Sequence, residues 1–134
     1  MKLADIQPWC AYLAPRCRHT TDRSDKYVVI VHVDENALGF FINSRLTQWI
    51  KDRPRLLVCN SPIFLKENEH VVDYDSFIDC QKIYEFGEHD IEKKLDKISD
   101  RAKSDMLKAI DDCPVLERRY KKLILSKEGY PGYE

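Results

Sequence analysis

The apolar residues of this chain are most concentrated in two runs that follow each other closely before the middle of the sequence. Residues 27–33 (YVVIVHV) are rich in β-branched side chains, which favour a strand over a helix. Polar residues 34–36 (DEN) interrupt the pattern, and a second apolar run follows at residues 38–42 (LGFFI). The pattern predicts a β-hairpin. Because both runs are apolar on both faces, we expect this hairpin at the centre of a sheet that is covered on both sides.

Shorter runs predict the rest of the sheet. We assign strands to residues 7–14, 27–33, 38–42, 55–59 and 77–86, and a turn to residues 60–62. Residues 46–52 predict a short helix with Ser44 as its N-cap, and Pro54 stops it. Trp49 lies on the apolar side of this helix, and we interpret it as a core anchor in preference to a base-stacking platform.

The last third of the chain has helical spacing instead. Apolar residues recur at helical intervals within residues 100–113, where Ser99 is placed to cap the first turn. Pro114 ends this helix, and a second apolar set follows within residues 116–124. The opposite side of the second helix is rich in Lys and Arg. We interpret it as a solvated surface in preference to a nucleic-acid contact.

These elements together predict one domain over residues 1–134. Short strands followed by terminal helix indicate the α+β class. We expect a small, mostly antiparallel β-barrel at about residues 7–98, closed on one side by a C-terminal helix or helix pair at about residues 99–125.

Net charge and hydropathy exclude two classes of protein. The 134 residues have a net charge of −1, which excludes a strongly basic nucleic-acid-binding protein. Residues 1–60 nevertheless hold nine Lys and Arg against six Asp and Glu, so the basic surplus lies in the half that contains the hairpin. No apolar run is long enough to span a membrane, and the N-terminus lacks the pattern of a signal peptide. We therefore expect a cytoplasmic protein without a membrane partner.

The five cysteines are widely and irregularly spaced, with no CxxC pair. In a cytoplasmic protein most of them are expected to be small buried apolar groups. Cys17 stands beside Arg16 and Arg18, where a thiolate would be favoured, so a reactive thiol is an alternative there. No histidine forms a zinc-finger pair with a cysteine, and we expect neither a metal ion nor another cofactor.

Polar residues at both ends of the hairpin supply the candidate chemistry. The preceding loop, residues 16–25, contains Arg16, Arg18, His19 and Arg23, and the second strand is followed by Asn43, Ser44 and Arg45. The loop is either a solvated turn or an anion-binding segment held beside a rigid strand. Histidine is the side chain that exchanges a proton near neutral pH, and arginine has the planar fork that suits phosphate.

Several local patterns stand in an order that resembles the MazF/PemK/Kid ribonuclease toxins. An aromatic strand (WCAYLAPR), a polar loop with His and Arg (CRHTTDRSD) and an apolar strand (KYVVIV) come first. FINS at residues 41–44 stands where the family has a Pro-Ile-Thr-Ser type motif, and DCQ at residues 79–81 where it has CDQ. Ile98 and Ser99 match the family's Leu-Ser step into a terminal helix. The resemblance covers residues 7–111 and implies the SH3-like barrel that this family shares with the CcdB gyrase poisons.

The resemblance also implies an activity. It predicts a toxin of a toxin–antitoxin system, a metal-independent endoribonuclease that cleaves single-stranded RNA through a 2′,3′-cyclic phosphate. A homodimer and a cognate antitoxin with an acidic segment are implied partners. The residues that would carry out the chemistry are Arg18, His19, Ser44 and Arg16, and those that would contact substrate are Asn43, Arg45, Arg23 and Asp79.

This mechanism makes a geometric demand. The guanidinium of Arg18, the imidazole of His19 and the hydroxyl of Ser44 must all reach one phosphodiester. Asp79 would orient His19 or contact a base edge. Two other functions remain open: a non-catalytic binding module on the same fold, such as a gyrase poison or an RNA- or protein-binding protein, and a structural protein with no cationic cavity at the foot of the hairpin.

Overall fold

The computed structural model describes all residues, 1–134, and its centre is a six-stranded antiparallel sheet. The strands are β1 Cys10–Ala14, β2 Lys26–Val33, β3 Ala37–Asn43, β4 Asn60–Ile63, β5 Ser76–Phe86 and β6 Lys93–Lys97, in the order β4-β5-β3-β2-β1-β6. The helices are α1 Gln48–Lys51, α2 Pro54–Leu57, α3 Asp100–Asp112 and α4 Arg118–Lys127. This is the predicted α+β class. Closure of the sheet into an SH3-like barrel stays a prediction.

The hairpin β2–β3 lies at the centre of the sheet, as its sequence predicts. Its two strands approach so closely that only glycine fits at Gly39. A β-carbon there would meet the Val29 carbonyl oxygen at 2.6 Å and the Ile30 side chain at 2.9 Å. The register shifts between Ile30 and His32, next to this position. The close contact between β2 and β3 therefore requires a residue without a side chain at position 39.

Side chains of the hairpin alternate between two separate apolar clusters. We call the side covered by α3 and α4 the helix face; it includes Val29, Phe40 and Ile42. We call the opposite side the loop face; its cover comes from the N-terminal residues, the 15–25 loop and Ile91. Successive side chains of each strand point to opposite faces of the sheet, and both faces are covered. This is why the two strands are apolar throughout.

The segment between β3 and β5 differs from the prediction. Residues 54–57 form the helix α2 and not a strand, because Pro54 is well suited to a first helical turn. The strand β4 begins at Asn60, inside the predicted turn, and places Ile63 in the helix-face cluster. Its partner is the first half of β5.

The helix α1 is one turn long and is capped by Thr47, not by Ser44. The Thr47 hydroxyl accepts a hydrogen bond from the Ile50 backbone. Trp49 is 57% exposed, so its assignment as a core anchor is wrong. A single turn can bury few residues, and the partly buried apolar residue of α1 is Ile50, not Trp49. The exposed Trp49 ring contacts Arg53 and not the core: the Arg53 guanidinium lies 4.0 Å from the ring centroid.

The charged residues 93–97, to which the sequence pattern assigns no strand, form the strand β6 beside β1. Four of the five β6 residues are exposed, as suits a strand at the end of a sheet. The helices α3 and α4 agree with the prediction, and Ser99 caps α3 by accepting from the Ala102 backbone at 3.1 Å. No helix has both the length and the apolar character that a membrane span requires.

All five cysteines are buried, as predicted, but two of them are not free. Cys59 and Cys113 form a disulfide that joins the start of β4 to the end of α3. The sequence spacing gave no indication of this pair. Cys17 belongs to the loop-face cluster and is shielded from solvent, which argues against the reactive thiol.

Candidate functional site

The loop between β1 and β2 is an ordered element. Asp25 accepts a hydrogen bond from the Arg16 backbone at 2.8 Å, and Cys17 donates from its backbone to Ser24 at 2.9 Å. Arg16 and Arg23 have φ angles of 46° and 51°, a conformation that non-glycine residues rarely adopt. Both arginines are exposed at the base of the loop. The buried Cys17 attaches the start of the loop to the loop-face cluster.

Arg18 and His19 are brought together by one backbone carbonyl. Arg18 Nη2 lies 3.1 Å and His19 Nε2 lies 2.5 Å from the Glu85 oxygen. Arg18 Nε also pairs with Asp90 at 3.1 Å. A carbonyl only accepts hydrogen bonds, so His19 Nε2 carries the hydrogen and Nδ1 of the neutral ring is an acceptor. Arg18 retains Nη1 for a further partner.

An aromatic surface adjoins this pair. The His19 ring lies 5.0 Å from Tyr84 and 5.3 Å from Phe86, measured between ring centroids. Tyr84 in turn stacks on Phe41 at 4.3 Å with nearly parallel planes. Lys82 lies 5.2 Å from the Tyr84 centroid. A half-buried phenol ring flanked by cations is suited to stacking against a nucleobase.

Lys26 and Asp79 lie at the other end of this surface. Lys26 Nζ is 5.0 Å from the Phe41 centroid and donates to Asn43 at 2.9 Å. Asp79 faces Phe41 in the β3–β5 register. Burial raises the pKa of Asp79, against the Gln81 hydrogen bonds and the positive charge of Lys26, which lower it. The pKa of Tyr84 is also raised, by burial and by the neighbouring Asp79 charge.

An irregularity in β5 brings Asp79 close to Tyr84. Five positions separate these residues along β5, but their partners on β3, Phe41 and Gly39, are only two apart. That corresponds to roughly 7 Å along the sheet. The extra residues bulge out of the ladder, and two of them, Cys80 and Ile83, enter the helix-face cluster. We call the resulting group the loop-face site; it consists of Arg18, His19, Lys26, Phe41, Asn43, Asp79 and Tyr84.

A cavity of about 610 Å³ lies at the end of the sheet, beside α1. Its sheet wall is formed by Tyr27 and Ile42, which are register partners on the helix face. Ser44 and Arg45 line the same cavity. Its charged residues are two cations and two anions, Lys26, Arg45, Asp25 and Asp73, so this cavity at the foot of the hairpin is mixed in charge.

The predicted site residues therefore divide between two places. Arg18 and His19 fold across the loop face to Glu85, which pairs with Leu38. Ser44 lies six residues further along the β3 direction, roughly 20 Å away, and lines a cavity on the helix face. The predicted convergence of Arg18, His19 and Ser44 on one phosphodiester does not occur, because the loop crosses the sheet on the side opposite to this cavity.

The loop-face site contains residues that the sequence did not single out. The sequence pattern places Lys26 only at the beginning of a strand, and it assigns Phe41 and Tyr84 to the strands at residues 38–42 and 77–86. Asp90, which holds Arg18, lies in the charged segment after β5. An alternating pattern could have indicated that Lys26 shares a face with Val28, but not that Tyr84 lies beside Asp79.

Comparison with protein-family models and with curated protein sequences gives no match. No group of three or more His, Cys, Asp or Glu side chains has the arrangement of a metal site.

Proposed function

We propose that the protein is a metal-independent endoribonuclease toxin, similar to the MazF/PemK/Kid family, whose reactive groups lie on the loop face. The observation that carries this proposal is the pairing of Arg18 and His19 on one carbonyl, next to an aromatic surface that ends at Lys26 and Asp79. Base stacking, phosphate charge and proton transfer are the three requirements of single-stranded RNA cleavage.

Tyr84 offers the stacking surface for one base. Phe41 supports its ring from below, so the phenol plane is fixed before RNA arrives. Arg18, bound to the Glu85 carbonyl, and Lys82, over the Tyr84 ring, would contact the phosphates that flank the stacked base. Lys26 extends the cationic surface toward the end of the sheet. Charge supplied locally in this way allows RNA binding by a protein with a net charge of −1.

His19 and Asp79 supply the two proton-transfer groups. His19 Nδ1, free of the Glu85 contact, takes the proton of the 2′-hydroxyl as that oxygen bonds to phosphorus. Asp79, in its protonated form, gives a proton to the departing 5′-oxygen as the P–O bond breaks; burial raises its pKa and so favours that form. The free Nη1 of Arg18 stabilises the charge on the non-bridging oxygens. The products are a 2′,3′-cyclic phosphate and a 5′-hydroxyl.

The decisive experiment is incubation of the purified protein with single-stranded RNA in EDTA, with analysis of the product ends. We expect cyclic phosphate ends from the native protein and a loss of at least about 100-fold in Arg18→Ala. Lys93→Ala removes one exposed positive charge from β6 and serves as the matched control. Cleavage by Arg18→Ala at the native rate, with a native thermal transition, would remove Arg18 from the mechanism.

A non-catalytic RNA-binding module is the second candidate. It is favoured by the contacts that already occupy Arg18, which shares its charge with Asp90. Intact RNA in the same assay, together with a mobility shift that Tyr84→Ala abolishes, would support this alternative. The toxin proposal also includes a homodimer, a cognate antitoxin with an acidic segment and a cytoplasmic location. Light scattering of the purified protein tests the dimer directly.

A further inference from the structure

The helix-face cavity has the size of a small-ligand site. Its volume of about 610 Å³ lies within the range of roughly 300–1,000 Å³ that is usual for such sites. Ile42 and Ile50 contribute apolar walls from β3 and α1. The cavity shares Lys26 and Asn43 with the loop-face site, but Tyr27, Ser44, Arg45, Asp73 and Tyr74 belong to the cavity alone.

The polar groups that line the cavity fall into two sets. Some already have partners within the protein: Lys26 with Asn43, Asp25 with the Arg16 backbone, Thr47 with the Ile50 backbone, and Ser76 with the Tyr74 backbone. Others make no side-chain hydrogen bond or ion pair within the chain: Tyr27, Ser44, Arg45, Asp73 and Tyr74. The second set is the one available to a ligand.

The free groups have complementary chemistry. Tyr27 and Tyr74 are 40% and 58% exposed, and their rings offer flat apolar surfaces to an aromatic ligand. Ser44 and Arg45 are consecutive and supply a hydroxyl and a guanidinium, which together suit a phosphate. Asp73 is an acceptor for hydroxyl or amino groups. An aromatic ring, an anion and a set of hydroxyl donors occur together in a nucleotide.

We propose that this cavity binds a nucleoside monophosphate, with its base against Tyr27 and Tyr74 and its phosphate at Ser44 and Arg45. Asp73 accepts hydrogen bonds from the ribose hydroxyls or from a base amino group. The proposal does not rest on RNA cleavage. A mononucleotide contains no bond between two nucleosides, so binding and cleavage can fail independently.

Calorimetric titration of the purified protein with AMP, GMP, CMP and UMP tests the proposal, with the matching nucleosides and inorganic phosphate as partial ligands. We expect saturable one-to-one binding of at least one nucleotide. Arg45→Ala should weaken nucleotide binding by about tenfold and leave nucleoside binding unchanged, since it removes only the phosphate contact. Tyr74→Ala should weaken both ligands, and Tyr74→Phe should restore most of the loss.

Lys51→Ala removes a cation from α1 that does not line the cavity, and it should bind nucleotide like the native protein. Three outcomes would overturn the proposal. One is the absence of binding by all four nucleotides at about 10 mM. Another is binding that survives both Arg45→Ala and Tyr74→Ala. The third is binding that Tyr84→Ala abolishes and Arg45→Ala does not, which would place the ligand on the loop face.

Discussion

The two faces of the central sheet come from the same strands, but they differ in what covers them. On the helix face, α3 and α4 complete a cluster of 23 buried residues. On the loop face the cluster has 11 buried residues, and irregular segments cover it. On the loop face His19 contacts Tyr84 and Phe86, with Arg18 on the neighbouring Glu85 carbonyl, whereas on the helix face the Lys103–Glu128 pair contacts Trp9.

This difference shows how the fold separates stability from the candidate chemistry. A helix buries a continuous apolar stripe and keeps its charged groups at the edge of the cluster, as Lys103 and Glu128 do beside Trp9. A loop supplies a few anchoring contacts, such as that of Cys17, and leaves the residues around them accessible. We therefore expect substitutions on the helix face to lower stability and those on the loop face to affect RNA.

The strongest test of this comparison uses two neighbouring residues of β3. Phe40 is 0% exposed on the helix face, whereas Phe41 is 9% exposed on the loop face, under Tyr84. Phe40→Ala should lower the free energy of unfolding by about 3–5 kcal/mol, because it leaves a cavity in the larger cluster. Phe41→Ala should cost less stability but weaken RNA binding, because Tyr84 loses its support. Urea denaturation and RNA titration measure the two effects.

Phe40→Leu and Phe41→Leu provide a matched pair that should remain folded. Leucine keeps most of the buried volume, so the stability cost at each site should be about 1 kcal/mol. Only Phe41→Leu should weaken RNA binding, since leucine cannot stack with Tyr84. Equal effects of the two variants on RNA binding would contradict the division between faces.

The next largest effect concerns the disulfide. Cys59 and Cys113 are 54 residues apart in sequence, and their bond belongs to the helix face. Replacing both by alanine should lower the free energy of unfolding by about 2–4 kcal/mol, because the unfolded chain gains freedom. RNA binding by the folded variant should be unchanged.

Thiol alkylation of the denatured protein checks the same bond. Without reductant, only Cys10, Cys17 and Cys80 should react, and after reduction all five cysteines should. The native protein in reductant should then unfold at the temperature of the double variant. Alkylation of five thiols without reductant would show that the bond does not form under those conditions.

A smaller effect is expected at Asp90, which links the loop to the end of β5. Its carboxylate accepts from Arg18 and from the Gly87 backbone. Asp90→Asn should change stability by less than about 1 kcal/mol, because the ion pair is largely exposed. The cleavage rate should fall by about tenfold if Asp90 orients Arg18. RNA binding through stacking on Tyr84 should be unchanged. An unchanged cleavage rate would show that the Glu85 contact alone positions Arg18.

Periodicity was sufficient to predict the elements of the core, but not the site. The runs in β2 and β3 and the helical spacing in α3 are local signals, and all three elements formed where they were expected. The strand β6 was missed because its charged residues resemble a linker, and pairing with β1 decides its structure. Pro54 was read as the end of a helix, whereas it begins α2.

The site depends on contacts between distant parts of the chain. Arg18 and His19 reach a carbonyl 67 and 66 residues away. The loop sequence does not determine on which side of the sheet it folds, and the burial of Cys17 gives the reason for the observed side. The bulge that brings Asp79 to Tyr84 likewise has no local signature, since it depends on Cys80 and Ile83 entering the helix-face cluster.

The smallest expected effect is the pH dependence of stability due to Asp79. Burial raises the pKa of its carboxyl in the folded state above the ordinary value of 3.8. The folded protein therefore binds this proton more tightly than the unfolded chain. The resulting stability is fully present below the ordinary value and is lost as the pH rises through the folded-state pKa.

Asp79→Asn should remove this dependence, because its amide stays neutral and its oxygen can still accept from the Gln81 backbone. At about pH 7 the variant should melt up to about 2 °C above the native protein, and at about pH 3 the two should coincide. Asp5→Asn, which changes an exposed carboxylate, is the control. If Asp79→Asn is instead less stable at about pH 7, attraction by Lys26 outweighs burial. The folded-state pKa of Asp79 would then be lowered and not raised, which would contradict its role as the proton donor of the loop-face mechanism.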